Sequence, residues 1–162
     1  MPATYEPIAT TTLSSSATSY TFSSIPSTYT DLVLVVAGTF TNTNSGGNLR
    51  LNGDTGTNYS TTALRGTGTT VYATRSTNRS FIAGNEDGSS SGPWIFIWNI
   101  NNYANASTYK TVLVRASDAG AYVSETAGLW RSTSAINSIT FITFDPGISS
   151  GTTLTLYGIK AA

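Results

Sequence analysis

The chain has 162 residues, eight basic and eight acidic side chains and no net charge, and its charged fraction of 10% stands far below the roughly 25% of ordinary soluble domains. It has no cysteine and no histidine, which excludes a disulfide framework and, in practice, a zinc site. Without a basic footprint, phosphate neutralisation on nucleic acid and binding to an anionic membrane surface are excluded too.

Ser, Thr, Asn and Gly stand where charges would be. Thr suits the solvent face of a strand, and Ser, Asn and Gly suit turns. No window carries apolar residues at helical spacing, so the chain reads as all-β. Met1 to Thr12 has no basic n-region and no continuous apolar run, so no signal peptide is expected. This segment is an N-terminal arm or a first edge strand, with a strand over Tyr5 to Leu13. Ser19 to Phe22 is the next strand. Asp31 to Phe40 follows, and its unbroken run Leu32 to Val36 predicts burial on both faces. The longest apolar stretch, Leu32 to Ala37, is too short to span a bilayer.

Asn42 to Asn48 lies in an Asn- and Gly-rich loop. Leu49 to Leu51 is a short strand ended by the turn signal Asn52-Gly53. Tyr59 to Leu64 and Val71 to Thr74 are weaker strands, Phe81 to Ala83 a short one, and Asn85 to Gly92 a surface loop. Trp94 to Ile100 is the most apolar strand. Period two puts Trp94, Phe96, Trp98 and Ile100 on one face, and Ile95 and Ile97 on the other. Tyr109 to Arg115, Ala121 to Val123 and a segment around Leu129-Trp130 follow. Ile139, Phe141 and Thr143 face one way, and Thr140, Ile142 and Phe144 the other. After the turn Asp145-Pro146-Gly147, Thr153 to Ile159 closes the chain with Leu154 and Leu156 on one face. Roughly nine to eleven short strands at this spacing predict one antiparallel β-sandwich domain over residues 1–162. Trp94, Phe96, Trp98, Ile100, Ile139, Phe141, Phe144, Leu154 and Leu156 are expected in the core or at a subunit interface.

Candidate chemistry is sparse. Asp54-Thr55-Gly56 has the triplet of an aspartic protease, but that chemistry needs a paired carboxylate in an apolar setting. Here Asn52, Gly53, Thr57 and Asn58 flank it, so it reads as a polar turn. Asn52, Asp54 and Asn58, or Asn85, Glu86 and Asp87, offer oxygens to a calcium ion, yet neither set supplies the usual ligand count. A serine nucleophile lacks a histidine base, and a Ser–Lys pair would need Lys110 or Lys160 desolvated. A depolymerase would have to rest on Asp54 and scattered acids. The reading is of a chain that is not an enzyme, with no catalytic residue, metal or cofactor. Three sequons, at Asn58, Asn78 and Asn105, are chance in an Asn- and Ser-rich chain.

The segment Leu49-Arg50-Leu51-Asn52-Gly53-Asp54-Thr55-Gly56-Thr57-Asn58-Tyr59-Ser60 resembles a stretch of the β-sandwich virion proteins of tailed bacteriophages, including cyanophages. The opening, from Thr11 through Phe22 and Pro26 to Leu34, and the ending, Gly151 through Lys160, are similar to the same proteins. The resemblance implies a jelly-roll-like sandwich in the virion, made in the host cytoplasm. Its role would be capsid decoration or cement, a head fibre, or a place on the tail. It implies a homo-oligomer, with a trimer favoured, bound to the major capsid protein or another virion protein. It assigns no residue a role. A tail or fibre module that grips host glycans through Asn42 to Asn48 and Asn85 to Ser91 is the alternative.

Overall fold

The computed structural model describes residues 4–41, 46–85, 92–118, 120–143 and 147–160. Twelve strands run in chain order: β1 (Tyr5–Thr12), β2 (Ser19–Phe22), β3 (Asp31–Gly38), β4 (Asn48–Leu51), β5 (Tyr59–Gly66), β6 (Val71–Arg79), β7 (Ile82–Ala83), β8 (Trp94–Ile100), β9 (Lys110–Asp118), β10 (Tyr122–Trp130), β11 (Ile139–Ile142) and β12 (Thr153–Ile159). They form an eight-stranded sheet, β1-β12-β3-β8-β9-β10-β5-β6, and a four-stranded sheet, β2-β11-β4-β7. Every pairing is antiparallel. The chain passes repeatedly from one sheet to the other, and the two pack face to face as a β-sandwich.

Strands β5 and β9 run on to Gly66 and Asp118, a little past their expected ends, and two others extend further. β6 continues past Thr74 to Arg79; its polar second half is held by pairing with β5. The segments at Ala121 to Val123 and Leu129-Trp130 are one strand, β10. The polar middle of β10, Ser124 to Thr126, hides it from a hydrophobicity reading. It pairs on both sides, with β9 and β5, so the sheet supplies what its side chains do not. The N-terminal segment is an edge strand, β1, paired with β12.

The core is organised by β8. Trp94, Phe96, Trp98 and Ile100 all point between the sheets and are buried. Trp94 stacks on Phe96 at 5.5 Å and Phe96 on Trp98 at 6.2 Å between centroids. Phe141 of β11 meets Phe96 edge-on at 5.7 Å. Ile139, Leu154 and Leu156 are also fully buried in this cluster. Phe144 lies outside the described residues.

Rings of this size need room on the opposite sheet, and glycines provide it. A Cβ on Gly47 would stand 2.6 Å from Phe141 and 2.8 Å from Phe96; one on Gly84 would stand 2.7 Å from Trp98 and 2.6 Å from the Gly47 carbonyl oxygen. The burial of β3 corrects one expectation. Leu32, Leu34 and Val36 face the core, but Val35 on the other side is half-buried and Ala37 exposed. No second layer covers that face among the described residues, and Val33 is buried between its strand neighbours Tyr157 and Asn99.

The packing at Gly84 generates a test. Gly84→Ala forces a methyl against the Trp98 ring and a main-chain oxygen, and overpacking of this kind costs about 1–3 kcal/mol. Urea unfolding should show that loss; a variant as stable as the parent would mean that the two sheets separate freely.

Candidate functional site

The Asp54 triplet is a fastener. Asn52 and Gly53 both take positive φ, 52° and 66°, the pair that a type I′ turn requires, and the Asp54 N–H closes the turn on the Leu51 carbonyl at 3.0 Å. The turn delivers the carboxylate to waiting donors. Oδ2 accepts from the Trp130 indole N–H at 2.7 Å and the Asn58 amide at 2.9 Å, and Oδ1 accepts from the Gly56 N–H at 2.8 Å. Burial pushes this carboxyl up, but the three donors together outweigh it and hold it below the usual aspartate range.

Tyr59 completes the knot. Its hydroxyl accepts from the Leu51 N–H and faces the Leu51 and Asp54 carbonyls; burial pushes the phenol up to about 12. Its ring stacks on Trp130 at 6.2 Å. The segment Leu49 to Ser60 is therefore built to join β4, β5 and the end of β10.

The calcium candidates are committed elsewhere. The Asn52 side chain bonds the main chain at Ala135, Asn137 and Ser138. Asn85 accepts from the Gly47 N–H at 3.0 Å and donates to the Tyr122 hydroxyl at 2.7 Å. Glu86 and Asp87 lie outside the described residues. Among the described residues no three Asp or Glu side chains converge on a point.

The two lysines differ. Lys110 is buried and donates to the carbonyls of Thr108 at 2.8 Å and Thr133 at 3.2 Å; burial lowers its pKa. Desolvation, the condition a Ser–Lys pair would need, is met, but the ammonium serves two loop carbonyls. Lys160 is paired with Glu6 at 2.8 Å and half-exposed.

Two surface features stand out. At one end of the sandwich, a cleft of about 430 Å³ opens between the β5–β6 and β9–β10 hairpins, lined by residues including Thr67, Gly68, Asp118 and Tyr122. Beside it the Arg65 guanidinium lies over Tyr72 at 4.7 Å and Tyr122 at 5.5 Å. Asp118 is buried; one of its oxygens accepts from the Gly120 N–H at 2.9 Å, and the other has no hydrogen-bond partner among the described residues.

The second feature is the outer face of the large sheet. Register places Val35, Ile97, Arg115, Glu125 and Leu64 in one row across five strands. Ile95 and Val123 flank that row at 40% and 61% exposure, and Leu64 is 58% exposed. Solvent-facing strands of an antiparallel sheet ordinarily carry polar residues here. The alternation in Trp94 to Ile100 marks Ile95 and Ile97 as facing away from the ladder. The row itself is not visible in sequence, because it depends on which strands are neighbours.

No protein-family model matches the chain, and no curated protein matches it. Among solved structures, it is similar to a double mutant of the alginate lyase Aly36B in complex with an alginate tetrasaccharide. The identity is 15%, the match covers 81% of this chain and 68% of the other, and the TM-score is 0.39. It is also similar to apo Crh5 transglycosylase, at 9% identity, 100% and 80% coverage and a TM-score of 0.23. The lyase corrects the expectation that the chain is not an enzyme, since an enzyme stands among the solved structures it is similar to. Likeness at this level transfers no residue, substrate or reaction.

The Asp54 knot makes a directional prediction. Asp54→Asn keeps the shape but offers one acceptor oxygen to three donors, so a donor is left facing the amide. The expected loss is about 1–3 kcal/mol at neutral pH. Because the folded carboxyl sits below its ordinary 3.8, its stabilisation is complete above that value and is lost as pH falls through the folded one. The gap between parent and variant in urea unfolding should therefore close on acidification. A gap that is constant with pH would show that the charge contributes nothing.

Proposed function

We propose that the chain is a structural protein of a tailed-bacteriophage virion, a capsid decoration or cement protein that acts as a homo-oligomer on the major capsid protein. The observation that carries this reading is the broad apolar outer face of the large sheet, where Ile95, Val123 and Leu64 stand exposed. Large exposed apolar patches are characteristic of surfaces that meet another protein. The sequence resemblance of Leu49 to Ser60 and of both ends of the chain supports the same reading. A neutral chain has weak protection against association, which suits a component of an assembly.

A second reading is a tail or fibre module that holds host glycans. The cleft favours it, with the exposed Tyr72 close beside it, since an exposed aromatic ring at a concave surface is a group on which a sugar ring can stack.

Gold-labelled antibody to the chain, viewed on intact particles by electron microscopy, distinguishes the two. Regular labelling over the head is the expected result. Labelling confined to the tail would replace decoration with host recognition, and particles that carry no label would refute both.

A further inference from the structure

We propose that the outer face of the eight-stranded sheet is covered by a second copy of the chain, packed face to face about a two-fold axis that runs parallel to the strands between β9 and β10. The inference rests on the homo-oligomer in the reading above and names its contact.

The charges on this face select the geometry. Arg115 and Glu125 are directly opposed on β9 and β10, 3.7 Å apart and largely exposed. They lie at the centre of the apolar row. A two-fold axis between their strands sets Arg115 of each copy against Glu125 of the other. An axis across the strands would set arginine on arginine, which like-charge repulsion forbids. A contact of this kind is self-complementary, as an isologous interface must be.

The same axis then fixes every other pairing by register. β8 faces β5 of the second copy, so Ile97 meets Leu64. Within the central strands, Leu113 of β9 meets Ala127 of β10. β3 faces β6, which brings Val35 to Ala73. In this row and its centre apolar groups meet apolar groups, while on either side of it Val123 meets Ser117 and Val33 meets the Arg75 side chain of the second copy.

The surface outside this overlap is of a different kind. β12 and β1 fall beyond the six overlapping strands. At one end their outward residues form threonine ladders, Thr10 to Thr155 at 3.2 Å and Thr12 to Thr153 at 3.1 Å, and at the other the rings of Tyr5 and Tyr157 pair edge-on at 6.4 Å. The small sheet carries another ladder, Thr21 to Thr140 at 2.9 Å. Hydroxyl pairs of this sort satisfy each other and remain in water. The exposed large aliphatic residues Leu64, Val71, Ile95 and Val123 all lie on strands that the two-fold overlap covers.

The area is of the right order. Six strands of about six residues, at roughly 4.8 Å between strands and 3.4 Å per residue, give a plan area on the order of 600 Å². Side-chain relief makes the accessible area larger than the plan, and a standard interface needs about 800 Å² per partner. The unit is a dimer, in place of the trimer that the sequence resemblance implies.

Sedimentation of the purified chain tests this over roughly 1–100 μM, the range in which interfaces of this size associate. The parent should be dimeric. Arg115→Glu sets carboxylates against Glu125 of both copies, and Ile97→Glu buries a charge opposite Leu64. Each should weaken association at least about tenfold, with thermal unfolding showing that the monomer is intact. Arg115→Glu combined with Glu125→Arg restores opposite charges across the axis and should restore the dimer. A parent that is monomeric throughout the range overturns the proposal, and this holds even where a variant fails to fold. A dimer indifferent to all three changes also overturns it, by placing the contact elsewhere. A monomer that still labels phage heads would sink the pairing and leave the virion reading standing.

Discussion

The stacked rings of β8 set the terms for the rest of the sandwich. Trp94, Phe96 and Trp98 stand on alternate positions of one strand, so their spacing is the two-residue repeat of the strand itself. Aromatic pairs at these separations contribute about 0.5–1.5 kcal/mol each beyond the area they bury. They also demand depth. The facing sheet can close over them only because Gly47 and Gly84 present no side chain at the points of nearest approach. The small sheet is the lid of this ladder, and Phe141, wedged against Phe96 and Trp98, is where the lid grips.

The ends of the sandwich are held by polar fasteners. Without disulfides, the long connections between sheets need another restraint. Asp54 supplies one by receiving the Trp130 indole, and Asn52 another by receiving the Asn137 and Ser138 N–H groups. At the opposite end Tyr122 and Asn85 bond across the two layers. The Tyr103 hydroxyl donates to the Pro26 carbonyl and ties the β2–β3 and β8–β9 connections together. Polar residues in these loops are thus structural even where their composition suggests metal or catalytic chemistry.

The outward surfaces divide the molecule's possible relations with others. Threonine ladders on β1, β12, β2 and β11 are closed hydrogen-bonding units that ask nothing of a partner. The outer face over β3, β8, β9, β10 and β5 gathers Val35, Ile95, Ile97, Val123 and Leu64 around the Arg115–Glu125 ion pair. The cleft between the hairpin tips adds a polar feature at one end. Function is to be sought on these two surfaces, because the interior is filled by packing and the loop carboxylate at Asp54 is fully engaged.

The strands with strong alternation were legible in the sequence. β2, β8 and β12 have the bounds that their patterns predict, because a two-residue repeat of large apolar side chains has one physical solution. The turn at Asn52-Gly53 was legible for the same kind of reason, since both residues tolerate positive φ. The sequence by itself determined an all-β sandwich, the inward face of Trp94 to Ile100, and the absence of cysteine and histidine chemistry. Only the tertiary structure decided that Leu49 to Ser60 is a knot around Asp54, since its key donor, Trp130, arrives from a strand far along the chain. The same holds for the second face of β3, which hydrophobicity alone assigns to the interior. An apolar residue records that water is unfavourable to it. Whether a sheet of the same chain or the surface of another molecule covers it depends on strand neighbours that no local pattern encodes.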